Sequence, residues 1–406
     1  MRIKLHRAAR IALLSSSLIL LAGACCWCLI QAWRSHAADS GTPASILSAL
    51  RFRSGDAALL KRYAAVVGPD ESASILARAV VLNPRDSNAW MQLGLLSEAR
   101  NDFDGAEAAY RQAARANRQF QPSWTLSNYF YRRQNLDEAS AWAVRSLQMV
   151  HGDPAPLFQL CWRLRPDPAM VLDAVSHRRD VLREYLAFLT AGERLEAAAS
   201  VARRLLVQPQ NDDVPNLTAY CERLLGSGFV APAIDIWNQL CERKAIPYRP
   251  LHLAERATLT NGSFERPPSS MAFDWRVLPW PGIEVVHSAK PAGLRIALSG
   301  LQPESCEILT ELVPVLSRTS YHLRFEHRTR GFEKNAGMHW SVFDVANGSD
   351  LAEAAAELGN EAWDTRETRF TTGPNSRLVR LALIYRRAPG TTLLEGSLWL
   401  RNINLD

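Results

Sequence analysis

Residues 259–268 read LTNGSFERPP, and this stretch divides the chain into two kinds of pattern. Before it, from residue 43 onward, apolar residues recur at helical spacing with almost no alternation of period two. After it the period becomes two, in runs at 284–287, 294–298, 308–316, 320–330, 338–345, 367–372, 378–386 and 397–405. In YHLRFEHR, Tyr321, Leu323 and Phe325 face one way while His322, Arg324, Glu326 and Arg328 face the other. That is a strand with one buried face. Nine or so strands separated by turn signals predict a two-sheet antiparallel sandwich over 258–406. Asn261-Gly262 supplies the opening turn and Phe264 the first core residue.

The helical half repeats. With Trp90 as the fourth position of a 34-residue unit, Leu93 and Gly94 fall at positions 7 and 8, Ala106 at 20, Tyr110 at 24 and Ala113 at 27. Trp124 follows Trp90 by 34 residues and Ala139 follows Ala106 by 33. This pattern resembles the tetratricopeptide-repeat (TPR) family, most specifically over 87–120. Weaker units are expected at 54–86, 180–209 and 217–243, with a Pro-rich irregular stretch at 152–178. The resemblance implies about five helix pairs over 43–250 forming a solenoid, each pair burying its faces against its neighbours. It also implies a concave face that holds a partner protein. The named aromatic positions are packing residues, so they are not nominated as contacts.

Composition limits the function classes. The net charge of +6 is concentrated at the start, where Arg2, Lys4, Arg7, Arg10 and Arg34 flank an apolar run. Without those five, 42 basic side chains face 41 acidic ones, too even a balance for a nucleic-acid binder. Ile11–Trp33 carries no charge and, as a helix, spans about 34 Å, enough to cross a bilayer. A cleavable signal ending at Ser35-His36-Ala37 and a lipoprotein modified at Cys25 are alternatives. The length of the run, and its apolar continuation past Cys25, favour an uncleaved anchor over residues 11–33. The basic tail, residues 1–10, is then cytoplasmic and the remainder periplasmic, which implies a single-pass protein of the inner membrane. Of seven cysteines, Cys25, Cys26 and Cys28 lie in the anchor, and the scattered Cys161, Cys221, Cys241 and Cys306 read as core residues.

The strand half resembles the jelly-roll, galactose-binding-like carbohydrate-binding modules. The resemblance rests on Asn261-Gly262-Ser263-Phe264-Glu265, an early aromatic strand Phe273-Asp274-Trp275, Glu361-Ala362-Trp363 before Phe370-Thr371, and the closing Gly396-Ser397-Leu398-Trp399-Leu400. It implies glycan contact and a structural calcium held by Glu265 and a carboxylate near the last strand. Arg401 stands where that carboxylate is expected, which leaves Asp406 as the substitute and makes the ion doubtful; no other cofactor is implied. Trp280, in LPWPG, is the loop-borne candidate for stacking on a sugar, with His322, His327 and His339 as polar neighbours. Trp275, Trp340, Trp363 and Trp399 read as packing residues.

No HExxH, Walker loop, GxSxG or kinase signature occurs, and Gly226-Ser227-Gly228 lies in a helix–helix turn with no strand before it. The expectation is a non-enzymatic, membrane-anchored scaffold. Its solenoid binds an envelope protein and its sandwich contacts polysaccharide, in envelope or exopolysaccharide assembly. A protein–protein scaffold with no sugar ligand is the alternative.

Overall fold

The computed structural model describes residues 7–39, 42–256, 258–332, 337–355 and 361–406; Arg2 and Lys4 of the basic tail lie outside these. Helix α1 (Arg7–Asp39) contains Ser15–Ala32, a stretch of mean hydropathy 1.7 that is not buried among the described residues. Its length and composition suit a membrane anchor and a signal sequence alike. The chain forms two compact units, Met1–Ala174 and Val175–Asp406.

After α1, the first unit consists of α2 (Pro43–Phe52), α3 (Ala57–Ala64), α4 (Pro69–Leu82), α5 (Ser87–Ala99), α6 (Phe103–Ala116), α7 (Phe120–Arg132), α8 (Leu136–Met149), α9 (Ala155–Leu164) and α10 (Ala169–Ala174). From α3 to α8 they pack as consecutive pairs, and α9 and α10 both pack on α8. Short polar residues start them. The side chains of Asp86, Asp102 and Asn135 accept hydrogen bonds from the backbone N–H groups of Ala89, Gly105 and Glu138, at 3.0, 3.0 and 3.3 Å. Small residues let the pairs close. A Cβ on Gly94 would stand 2.6 Å from Tyr110 Cε1, and Ala106, Ala113 and Ala139 are fully buried. The repeat spacing read from Trp90 therefore marks a real contact between α5 and α6.

The second unit begins with two more pairs, α11 (Arg179–Ala191) with α12 (Leu195–Leu206) and α13 (Val214–Gly226) with α14 (Val230–Glu242). Among the described residues ten strands follow: β1 (Arg276–Val277), β2 (Ile283–Ala289), β3 (Ala292–Ser299), β4 (Ser305–Pro314), β5 (Ser320–Arg330), β6 (Met338–Asp344), β7 (Asp350–Ala355), β8 (Asp364–Thr371), β9 (Leu378–Arg386) and β10 (Glu395–Leu405). They form two antiparallel sheets, ordered β1-β4-β9-β6-β7 and β2-β3-β10-β5-β8. The inward faces bury one core, in which Phe264, Trp275, Trp340 and Phe325 follow one another at ring separations of 5.6, 5.7 and 5.8 Å.

LTNGSFERPP enters this sandwich as a tight turn. Asn261 and Phe264 have φ of 53° and 51°, and Phe264 N–H donates to the Asn261 carbonyl at 2.9 Å. Gly262 accepts from Ile403 N–H at 2.8 Å, and a Cβ at that position would overlap the Ile403 carbonyl oxygen. Phe273-Asp274-Trp275 is not a strand. It belongs to an irregular turn, with Ser270 and Ala272 at φ of 59° and 35°, that precedes the two-residue β1.

That turn fastens the helices to the sandwich. The Trp237 ring of α14 lies 5.3 Å from Tyr248 and 5.7 Å from Phe273. Glu222 of α13 accepts from Ala272 N–H at 2.9 Å and from Arg276 at 3.0 Å. Asp274, fully buried, accepts from Tyr248 Oη at 2.8 Å, Ser269 N–H at 2.6 Å and Asn261 Nδ2 at 3.3 Å. Beneath it Glu311 is also fully buried. Its Oε1 accepts from Thr260 N–H at 2.8 Å, while Oε2 has no partner among the described residues. Burial, joined by the nearby Asp274 charge, pushes the Glu311 carboxyl well above the ordinary glutamate range.

Candidate functional site

A groove of about 510 Å³ runs across α3, α5 and α7, one helix from each of three successive pairs. Its cations are already paired. Lys61 bonds Asp86, and Arg132 grips Glu98 through two hydrogen bonds of 2.9 Å. Burial pushes the Glu98 carboxyl up, but the hydrogen bonds from Arg132 and Tyr110 outweigh it and hold it below its ordinary value. What the groove offers is neutral: the amides of Asn88, Gln92 and Gln121 beside Met91, Leu95 and Trp124. Primary amides donate and accept together, which matches the alternating N–H and C=O groups of an extended peptide.

The sandwich residues singled out from sequence do not form one site. Trp280 lies in the loop between β1 and β2, 38% exposed, with its Nε1 donating to the Glu307 carbonyl at 2.6 Å. His339 is on β6 in the first sheet, nearly buried, with Nδ1 3.3 Å from the Gly337 carbonyl and Nε2 3.7 Å from Glu353. His327 faces inward on β5 and is fully buried, 5.7 Å from the Phe325 ring. His322 points outward on β5, opposite Arg369. The period-two phase of YHLRFEHR already sets His327 with Tyr321 and Phe325, away from His322. Glu265 and Asp406 are both exposed, and among the described residues no three His, Cys, Asp or Glu side chains gather where a metal could sit. Calcium takes six to eight oxygen ligands, and this donor set falls short. Arg401 is held instead by Glu326 at 2.7 Å.

The chemistry gathers on the outer face of the β2-β3-β10-β5-β8 sheet. Trp399 of β10 stands in register between Arg295 of β3 and Arg328 of β5. Their guanidinium carbons lie 6.0 and 4.6 Å from its ring. Trp363, just before β8, takes Arg328 at 5.2 Å and Arg401 at 3.9 Å. Arginine and indole thus alternate across the strands as a comb, each contact adding about 0.5–1 kcal/mol at such partly exposed sites. Trp363 and Trp399 do pack, as expected, but against cations on the outside. The missed signal was alternation in Ser397-Leu398-Trp399-Leu400-Arg401, where Leu398 and Leu400 point inward and Trp399 and Arg401 outward.

No protein-family model and no curated protein matches this chain. Among solved structures it is similar to a CBM4 structure, at 9% identity and TM-score 0.30, over 37% of this chain and 99% of that one. It is also similar to YrrB, a TPR protein with an unusual peptide-binding site, at 11% identity and TM-score 0.24, over 50% of this chain and 94% of that one. A third is carbohydrate binding module CBM6cm-2 from Cellvibrio mixtus lichenase 5A in complex with cellotriose, at 14% identity and TM-score 0.20, over 31% and 88%. These are partial, distant likenesses.

Proposed function

We propose that this chain is a non-enzymatic adaptor of the cell envelope, anchored in the inner membrane by α1 with its bulk in the periplasm. The groove on α3, α5 and α7 holds an extended segment of a partner protein, and the sandwich contacts glycan during envelope or exopolysaccharide assembly or export. The observation that carries this reading is the arginine–indole comb: a row of ordered, partly exposed recognition groups on an open sheet face. The basic residues ahead of the apolar run support the orientation.

The test is a glycan array probed with the full-length protein in nanodiscs, beside its Trp399→Ala variant. Binding of at least one polysaccharide, weakened by the substitution, is expected. If no glycan binds, the sugar half of the reading falls and a protein–protein scaffold remains. For topology, a reporter fused after Asp406 is expected to be active only outside the cytoplasm; cytoplasmic activity overturns the orientation.

A further inference from the structure

The comb presents cations rather than bare rings. Both indoles have guanidinium groups set over them, so neither offers a bare ring on which a neutral sugar or a nucleobase could stack. What faces outward is cationic. Arg401 is neutralised by Glu326, and Arg324 lies 3.7 Å from Glu367. In the Trp399 row, which runs through Val286, Arg295 and Arg328, no carboxylate stands among the described residues. Arg295 donates to the Ser397 hydroxyl, at 3.4 and 3.3 Å. Arg330 stands opposite Ser397, and Arg328 is clasped by the two rings, its Nε covered and without an acceptor among the described residues. Among the described strand residues of this face, Glu284 and Glu395 lie by register in rows beyond Trp399, opposite Ala297 and Ser299, and Glu284 is three strands from Arg330 in the Ser397 row.

We propose that this face binds an acidic polysaccharide whose carboxylates seat on Arg295, Arg328 and Arg330; the inference rests on the sandwich contacting glycan. An ordered guanidinium fork matches a carboxylate through two parallel hydrogen bonds, and stacking fixes its plane in advance. Arg295 and Arg328 are two strands apart, about 10 Å at ordinary sheet spacing. An extended chain laid across the strands would therefore meet a cation at about every second sugar, which selects polymers with carboxylates at regular intervals.

The probes are alginate oligomers, carboxyl-reduced alginate of the same length, dextran, polyglutamate and oligo-dT, titrated against the full-length protein in nanodiscs. Alginate is expected to bind, more weakly as salt rises. Arg328→Gln is expected to weaken it about tenfold or more, the loss of one charge-assisted pair, and carboxyl reduction, which removes every such pair, to weaken it further. Arg369→Gln, on the same face but outside the Trp399 row, should leave affinity within about twofold, as for a peripheral charge. If Arg328→Gln disturbs the far-UV circular dichroism or melting, exposed Arg330→Gln replaces it.

If reduced alginate or dextran binds as well as alginate, the acidic class is overturned while glycan contact stands. If no glycan binds, both fall. Equal affinity for polyglutamate or oligo-dT, or equal loss with Arg369→Gln, means diffuse charge attraction and overturns the site.

Discussion

The α5/α6 and α13/α14 pairs come from similar sequence patterns, small residues against large ones, yet they are completed differently. In α5/α6, Gly94 accepts the Tyr110 ring, and the pair joins the next through the exposed Arg132–Glu98 bonds. In α13/α14, Trp237 and Glu222 meet Phe273, Ala272 and Arg276 from outside the helices. The first is a repeat covered by another repeat. The second is a repeat covered by a turn of the sandwich. Helical periodicity reports that a face must be buried without reporting what buries it.

Four substitutions probe that difference, taken from the largest expected effect down. Phe273→Ala empties a fully buried site between α14 and the sandwich. It should cost about 3–5 kcal/mol and split the denaturant unfolding of the second unit into two transitions. A single unshifted transition would mean that the junction contributes little. Gly94→Ala forces a methyl into the Tyr110 ring and should cost about 1–3 kcal/mol. Its effect should appear in hydrogen exchange of α5 and α6, leaving α13 and α14 unchanged.

Glu311→Gln tests the buried carboxyl under the junction. Its folded pKa lies above the ordinary 4.5, so the folded state keeps its proton longer than the unfolded chain. The stability it contributes is complete below about 4.5 and is lost as pH rises through the folded value, at up to about 1.4 kcal/mol per pH unit. Urea melts from pH 4 upward should therefore show wild type falling behind the Gln variant. Parallel curves would refute the assignment. The smallest effect is expected for Arg132→Ala, about 1 kcal/mol, because the guanidinium it removes is half exposed and screened.

The helix pairs were largely legible because Gly94, Ala106, Tyr110 and Ala139 are fixed by contacts inside one repeat length. The longer strands were legible because each has one wet and one dry face. The edges were not. Asp350–Ala355 reads DLAEAA, a helix-forming composition, and is a strand because β6 pairs with it. Arg276–Val277 is too short to show a period. The candidate site was legible only in part, because a tryptophan's type points to packing while its neighbours decide which side it packs on. Trp399 lies beside Arg295 only once β3 and β10 are in register, and those strands are a hundred residues apart in sequence.

The seam at residues 269–276 also decides what can be exchanged between proteins. A cut at the change of pattern near residue 258 would leave Asp274 without Tyr248 and strip Trp237 from Phe273. The arginine–indole face therefore does not travel as a free-standing cassette. A graft that keeps this junction brings α13, α14 and Tyr248 along, so recombination would move the recognition surface and that helix pair together.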